Sequence, residues 1–273
     1  MAQSPRQEGS ASSDRSIPAA ALRRMLLRAA LTIGMAALAS AHPALAASLQ
    51  VSPVTLLFQQ AQPALGITLR NTGDAPLTGQ VRVFAWGQGG KDDTLDPVQA
   101  LVASPPMVVI PPQGEQLVRV VRTNRQPADH ELTYRLLIDE LPPPQEASTS
   151  AGVSGGINFR LRYSIPVFVP MAGAPGEPKL SWTLKQHDGG WFLGASNAGA
   201  THAQLSAVKL SGPDGESFDV SPGLLGYALA GSGREWRLSE KFPAKLAVAG
   251  LKVQATVNTT SAQAVAVTVG AAP

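Results

Sequence analysis

Apolar and polar residues alternate along much of this chain, and the longest alternation runs from Gly155 to Pro170, GGINFRLRYSIPVFVP. Polar residues, including Arg160 and Arg162, occupy the positions between the apolar ones. A period of two over this length predicts a β-strand with one apolar face. The apolar positions of this predicted strand are Ile157, Phe159, Leu161, Tyr163, Ile165 and Val167.

The pattern leaves two roles open for this strand. It fits a central strand of a sandwich, with the apolar face in the core and the two arginines in solvent. It fits equally well an edge strand whose unpaired backbone groups and apolar side chains are offered to a partner chain.

Shorter alternating segments precede this strand and are separated by Pro, Gly, Asn and Asp. Regular short strands at such spacing predict an antiparallel sandwich of about seven strands over residues 47–170. Residues 170–178, PMAGAPGEP, have the composition of a linker, and weaker alternations continue to the C-terminus. We therefore expect a second, smaller β-sandwich over residues 171–273.

The first 46 residues have the pattern of a secretory signal peptide. Arg23, Arg24 and Arg28 precede or enter an apolar run that ends in Ala44-Leu45-Ala46. We expect cleavage after Ala46 and export of the remainder. A retained membrane anchor is the alternative. Met25 is a second possible start, and the export route stays open because the RRMLL motif lacks the fuller twin-arginine consensus.

Charge and composition exclude several classes of function. The full chain has 22 basic and 19 acidic residues, but residues 1–46 hold five arginines and two acidic residues, so the remainder carries 17 of each. This balance gives no basis for binding nucleic acid or an anionic membrane. There is no cysteine, and the three histidines after residue 46 lack metal-ligand spacing. We expect no enzyme activity, no cofactor and no metal.

Several segments resemble, in order, the periplasmic pilus chaperones of the chaperone–usher system. The resemblance covers most of residues 47–170 and, more weakly, the second predicted domain. The segments that carry it are SLQVSPVTLLF, LRNTGDAPLTGQVRVFAW, ASPPMVVIPPQGEQLVRVVR and DHELTYRLLIDELPPP. The pattern is closer to the archaic, spore-coat-type branch than to PapD itself, and the absence of cysteine argues against the long-loop type.

The resemblance implies a fold and a function. The fold would be all-β, with two immunoglobulin-like sandwiches joined by a short linker in a boomerang arrangement. The protein would be a periplasmic chaperone that donates a strand to incomplete pilin or spore-coat-like subunits and delivers them to an outer-membrane usher. The free form would be a monomer or a self-capping dimer. The donor side chains would be Ile157, Phe159, Leu161 and Tyr163.

The resemblance also implies an anchor for the C-terminal carboxylate of the subunit, and here the chain departs from the family. We expect Arg162, with Arg160 as the second candidate, to supply the basic residue of the donor strand. The other basic residue would fall near Thr55, which is not basic. Glu131 matches the glutamate of an inter-domain ion pair, but its expected arginine partner is replaced by Val169.

A second class of function stays open at this point. The chain could be a secreted β-sandwich module for adhesion or ligand binding that self-associates through the same edge strand. A chaperone requires a subunit partner, whereas an adhesion module binds a surface or oligomerises alone.

Overall fold

The computed structural model describes residues 49–124, 128–142, 160–173, 176–261 and 264–270. Within these ranges the chain forms strands almost throughout, so the all-β prediction is confirmed. Among the described residues, no helix has the length and hydrophobicity needed to cross a membrane, and no cluster of side chains could hold a metal ion.

The N-terminal part, residues 49–169, is a sandwich of two sheets. One sheet has the order β1-β3-β8-β6, and the other has the order β2-β10-β9-β4-β5, with β7 paired to β4. The strands are β1 Leu49–Ser52, β2 Leu56–Leu57, β3 Ala64–Asn71, β4 Leu77–Gly89, β5 Asp92–Pro97, β6 Leu101–Ser104, β7 Met107–Ile110, β8 Glu115–Arg122, β9 Leu132–Leu141 and β10 Arg162–Val169.

Alternating apolar residues of both sheets meet in one core between them. Its fully buried members include Ile67 and Leu69 of β3, Val118 of β8, Leu136 of β9 and Val167 of β10. The first strand passes from one sheet to the other, because β1 pairs with β3 and β2 pairs with β10. Residues 53–55 therefore cross between the sheets.

Strand β10 is paired differently along its length. It lies antiparallel to β9 from Arg162 to Val169, but its other edge is paired only at Val167 and Phe168, by the parallel strand β2. The carbonyl of Phe168 accepts a bond from Phe58, whereas the carbonyl of Leu161 accepts one from Glu140 of β9. Even-numbered residues of β10 consequently direct their backbone groups to the edge away from β9.

Between Arg162 and Pro166 that edge has no strand partner among the described residues. Burial changes at the same place: Arg162 and Ser164 are exposed, whereas every residue from Ile165 to Val169 is buried. The predicted strand included Ile157 and Phe159, which lie outside the described residues. The described strand starts at Arg162.

The C-terminal part, residues 180–269, has a single extended sheet in the order β14-β13-β16-β18-β11-β12-β15, with β17 paired to β16. Its core contains Leu184, Leu193, Leu205 and Leu210. The strands are β11 Leu180–His187, β12 Gly190–Asn197, β13 Ala203–Ser211, β14 Ser217–Ala228, β15 Gly233–Arg237, β16 Lys252–Val257, β17 Thr260–Ser261 and β18 Val265–Val269, with a 3-10 helix at Ala244–Leu246.

A buried asparagine holds the same turn in both parts. The side chain of Asn71, at the end of β3, accepts a hydrogen bond from the N–H of Gly73 at 2.9 Å and donates to the carbonyl of Ala75 at 2.8 Å. Asn197, at the end of β12, accepts from Gly199 and donates to Thr201 at the same spacings. The segments NTGDA and NAGAT therefore form equivalent turns.

We expect the Asn71→Ala substitution to lower the free energy of unfolding by about 2 kcal/mol, because it leaves buried backbone groups without partners. Asn71 is fully buried and also donates to the carbonyl of Ile110 at 3.1 Å. Urea unfolding measures the change. Asp74→Ala, at an exposed position of the same turn, should change stability by less than about 0.5 kcal/mol. Equal effects of both substitutions would contradict the role assigned to Asn71.

Candidate partner-binding site

Two arginines bracket one aspartate on the outer face of the sheet that contains β10. Asp139 of β9 lies directly opposite Arg162 of β10 in the strand register. The Nη2 atom of Arg82, on β4, is 2.6 Å from Oδ2 of Asp139, and Nε of Arg162 donates to Oδ1 of the same carboxylate. The Asp139 side chain is 12% exposed, whereas that of Arg162 is 62% exposed.

The electrostatics of this triad favour a further anion. Burial by itself raises the pKa of Asp139, but hydrogen bonds from Arg82 and Arg162 and their positive charges together hold that pKa below its usual value. Asp139 is therefore ionised at neutral pH and neutralises one of the two guanidinium groups. The triad keeps one net positive charge, and the exposed fork of Arg162 is suited to a second carboxylate.

The two arginines predicted as anchor candidates border the same depression. This depression has a volume of about 480 Å³ and is lined by Arg160, Leu161 and Arg162 together with Arg82 and Asp139. Leu161, which the sequence analysis assigned to the donor face, is half-buried at its edge. The structure thus places an apolar residue and a cationic cluster side by side at the start of β10.

Tyr163 has a different environment from Leu161. Its ring packs against the core of its own sandwich, and its hydroxyl donates to the backbone carbonyl of Leu49 in the opposite sheet. Burial raises the pKa of the Tyr163 hydroxyl, which is therefore protonated and able to donate. In this structure Tyr163 joins β10 to β1. Ile157 and Phe159, the other predicted donor residues, lie outside the described residues.

The C-terminal end of β10 meets the second part of the protein through an aromatic cluster. Phe168 stacks on His202 with ring centroids 3.6 Å apart, and it lies 6.1 Å from Trp86 and 5.9 Å from Tyr227. Phe168, Trp86 and Tyr227 are buried together with Leu229. This contact explains why even-numbered residues at this end of β10 are buried as well as odd-numbered ones.

Glu131 bonds across the same junction. Its Oε2 atom is 2.7 Å from Nδ1 of His202 and accepts the backbone N–H of His202 at 2.8 Å. The N–H of Glu131 donates to the carbonyl of Ala200 at 3.1 Å. Val169, at the position where the resemblance places an arginine partner, points into the core and is 1% exposed. A histidine from a turn of the second part contacts Glu131 instead.

Another arginine, which was not among the predicted site residues, lies at this junction. The guanidinium of Arg135, on β9, stacks 3.6 Å above the ring of Trp86 and lies 5.6 Å from the ring of Tyr227. Burial raises the pKa of Tyr227, opposed by the charge of Arg135 and a hydrogen bond with Thr55. Arg135 and Thr55, the position at which the resemblance implies a basic residue, thus both lie beside Tyr227. Only the strand register could have identified Arg135.

Comparisons with known proteins match this architecture. Residues 48–173 match the family of pili and flagellar-assembly chaperones, PapD N-terminal domain. A curated relative, chaperone protein FimB/FhaD of Bordetella pertussis, is 29% identical over 163 residues, which is 57% of this chain and 63% of the relative. The chain thus spans less than two thirds of that relative's length.

Solved structures share the two-part fold. A chain of the CsuC–CsuE chaperone–tip adhesion subunit pre-assembly complex, from archaic chaperone-usher Csu pili of Acinetobacter baumannii, matches with a TM-score of 0.62 and 23% identity. The match covers 82% of this chain and all of that one. The YadV chaperone matches with a TM-score of 0.56 and 17% identity, over 81% of this chain and 98% of that one.

The described residues therefore share the two-part β fold of these solved structures. The match of residues 48–173 to the PapD N-terminal domain model confirms the resemblance drawn from the sequence.

We expect Asp139→Asn to lower stability by about 1 kcal/mol near neutral pH, since it removes the charge between Arg82 and Arg162. The folded-state pKa of Asp139 is depressed, so its contribution is present above the unfolded value of about 3.9 and is lost as pH falls through the folded value. Urea unfolding at about pH 7 and about pH 3 should show the difference from wild type shrinking on acidification.

Asp96→Asn provides the matched control, because Asp96 is exposed on β5. It should leave stability unchanged at both pH values. A difference between Asp139→Asn and wild type that is equally large at low pH would show that the charge of Asp139 does not stabilise the fold.

Proposed function

We propose that this protein is a periplasmic chaperone that binds pilin or spore-coat-like subunits by donor-strand complementation and delivers them to an outer-membrane usher. Residues 1–46 would be removed during export, residues 47–170 would form the donor domain, and residues 171–273 would form the second domain. The observation that carries the proposal is the edge of β10, which has no strand partner between Arg162 and Pro166 among the described residues.

The backbone of this edge supports strand addition. Arg162 and Ser164 direct their N–H and C=O groups away from β9, so a partner strand could pair with them. Pro166 has no N–H, and β2 occupies the same edge from Val167 onward. An added strand would therefore pair upstream of Pro166, at the exposed half of β10 and the segment before it.

The side chains supply the second element of the proposal. Leu161 is half-buried at the depression, and Ile157 and Phe159 precede it at the same spacing of two residues. Burying three such side chains in a subunit would contribute on the order of several kcal/mol before ordering costs. Tyr163 packs against its own sandwich, so we propose that it ends the donated set by holding β10 to β1.

The arginine cluster supplies the third element. We propose that Arg162, aided by Arg160, binds the C-terminal carboxylate of the subunit, with Asp139 and Arg82 orienting the guanidinium. Arg135 is a second candidate for this carboxylate, because it lies at the junction beside Tyr227 and Thr55. Its side chain is only 15% exposed and faces Asp93 at 4.0 Å, which makes it less accessible than Arg162.

Co-expression tests the function. The chain with residues 1–46 removed would be directed to a periplasm by a standard signal, together with the secreted β-subunits encoded beside it, and purified through its own tag. We expect a roughly one-to-one complex with a subunit that is degraded when expressed alone. Elution of the chain alone, with the subunits surviving without it, would contradict chaperoning; homo-oligomers in that experiment would favour the adhesion module.

We expect Arg162→Glu to reduce subunit recovery at least about tenfold, because it replaces the exposed cation with an anion facing the subunit carboxylate. Arg119→Glu is the matched control: Arg119 is exposed on β8, in the other sheet, and recovery should stay normal. Circular dichroism would verify that both variants fold. Normal recovery with Arg162→Glu would remove Arg162 from the anchor, and Arg135→Gln would then be the next variant to compare.

A further inference from the structure

The hairpin of β4 and β5 reaches past its own sheet and pairs with the second part of the protein. Gly90, at its tip, forms a parallel bridge with Arg234, and the N–H of Glu235 donates to the carbonyl of Gly90 at 3.1 Å. Both partners belong to β15, which is the edge strand of the second sheet. The hairpin tip therefore covers part of an edge that would otherwise present open backbone groups.

A glutamine of the hairpin makes a two-way bond to the same part. The Nε2 atom of Gln88 donates to the carbonyl of Tyr227 at 2.9 Å, and its Oε1 atom accepts the N–H of Leu229 at 2.9 Å. The Gln88 amide thus donates to one backbone group of the second part and accepts from another. This pair of bonds constrains the orientation of the hairpin relative to that part as well as their separation. Tyr227 itself belongs to the aromatic cluster at the junction.

Charged side chains of the hairpin add two further contacts. Asp93 binds Arg234 of β15 and lies 4.0 Å from Arg135 of β9, so it joins an arginine from each part. These three side chains are 15–30% exposed, which leaves them less screened than a surface pair. Lys91 binds Asp188 and lies 5.2 Å above the ring of Phe192, both in the second part.

The hairpin lies on the side of the sheet away from the linker. In the sheet order, β5 lies at the opposite end from β2 and β10, whereas Glu131–His202 and Phe168–His202 lie where the linker leaves β10. One attachment beside a linker would leave the second part free to rotate about it, and relative motion is the default for small inter-domain interfaces. The hairpin contacts extend the attachment from the aromatic cluster toward the far end of the sheet, and this wider attachment opposes that rotation.

We propose that the β4–β5 hairpin is a strap that fixes the orientation of the two parts in the free protein, with Gln88 and Asp93 as its positioning residues. The relative orientation of the two parts is then set before any partner arrives, and binding carries no cost for arranging it. This inference concerns the free chain and stands independently of the proposed chaperone function.

Distance measurements by electron paramagnetic resonance test the strap. The chain has no cysteine, so Arg119→Cys on β8 and Lys252→Cys on β16, both exposed, give one label in each part. We expect one narrow distance distribution in the wild-type background. Gln88→Ala combined with Asp93→Ala should broaden it about twofold or shift its centre, because the hairpin loses both positioning side chains and keeps the Gly90 bridge and the Lys91–Asp188 pair. Asp96→Ala, on the same hairpin, should leave it unchanged.

A charge exchange keeps the test valid even if the double alanine variant fails to fold. Lys91→Glu alone should broaden the distribution, and adding Asp188→Lys should restore it, because the pair is re-formed with reversed signs. A distribution that stays narrow in the folded double alanine variant, or in Lys91→Glu, would overturn the proposal. A purely stabilising role would lower the melting temperature without moving the distance.

Discussion

Burial of β10 on both faces between Ile165 and Val169 is the constraint on which the rest of the structure depends. One face, with Ile165, Val167 and Val169, completes the core of the first sandwich. The other face, with Phe168, is closed by Trp86, Tyr227 and His202. Because a single strand serves both contacts, the second part of the protein is positioned by the same residues that hold the first sandwich together.

The exposed half of β10 follows from the same constraint. Arg162 and Ser164, upstream of Ile165, are exposed within the described part of the chain, and Arg162 extends to Asp139. The charge of Asp139 offsets only one of its two arginine neighbours. In the proposed function, the net positive charge of this exposed edge would oppose pairing with a second copy of itself and would attract the carboxylate of a subunit. The arginines would thereby restrict which chain can use the edge.

The sequence indicated the strand character of the chain but not the contacts between distant segments. Alternation predicted a strand from Ile157 to Val169, of which Arg162 onward is described as β10, and turn residues predicted breaks, because both depend on local geometry. About seven strands were predicted over residues 47–170, whereas the described residues of that range form ten, several of them only two to four residues long. The sequence did not indicate that Tyr163 would bond to Leu49, which depends on how the first strand crosses between sheets. The sequence also did not identify His202 as the partner of Glu131, because the two residues are 71 positions apart and no sequence pattern links them.

The arginines illustrate the same limit. Arg162 and Arg160 were predicted as site residues because they occupy polar positions of a long apolar alternation, whereas the residues around Arg135 show no such contrast. Phe84 pairs with Arg135 and Arg135 pairs with Pro166, so these three side chains lie on one face of the sheet. Trp86 follows Phe84 by two residues and lies on the same face, beside Arg135. Strand register is set by the whole sheet, and a one-residue shift would have turned Arg135 into the core.

The sheet edges at β15 and at β10 differ in how far they are covered, and this difference is consistent with a separate role for each. The edge at β15 is partly covered by Gly90, whose φ of 70° lies in the left-handed region that glycine adopts without strain. The edge at β10 has no strand partner between Arg162 and Pro166 in the described residues, and Pro166 limits how far an added strand could extend toward the junction. An added strand is thus directed away from the contacts of Phe168. In the proposed function, one end of β10 would accept a partner while the other end holds the contacts between the two parts.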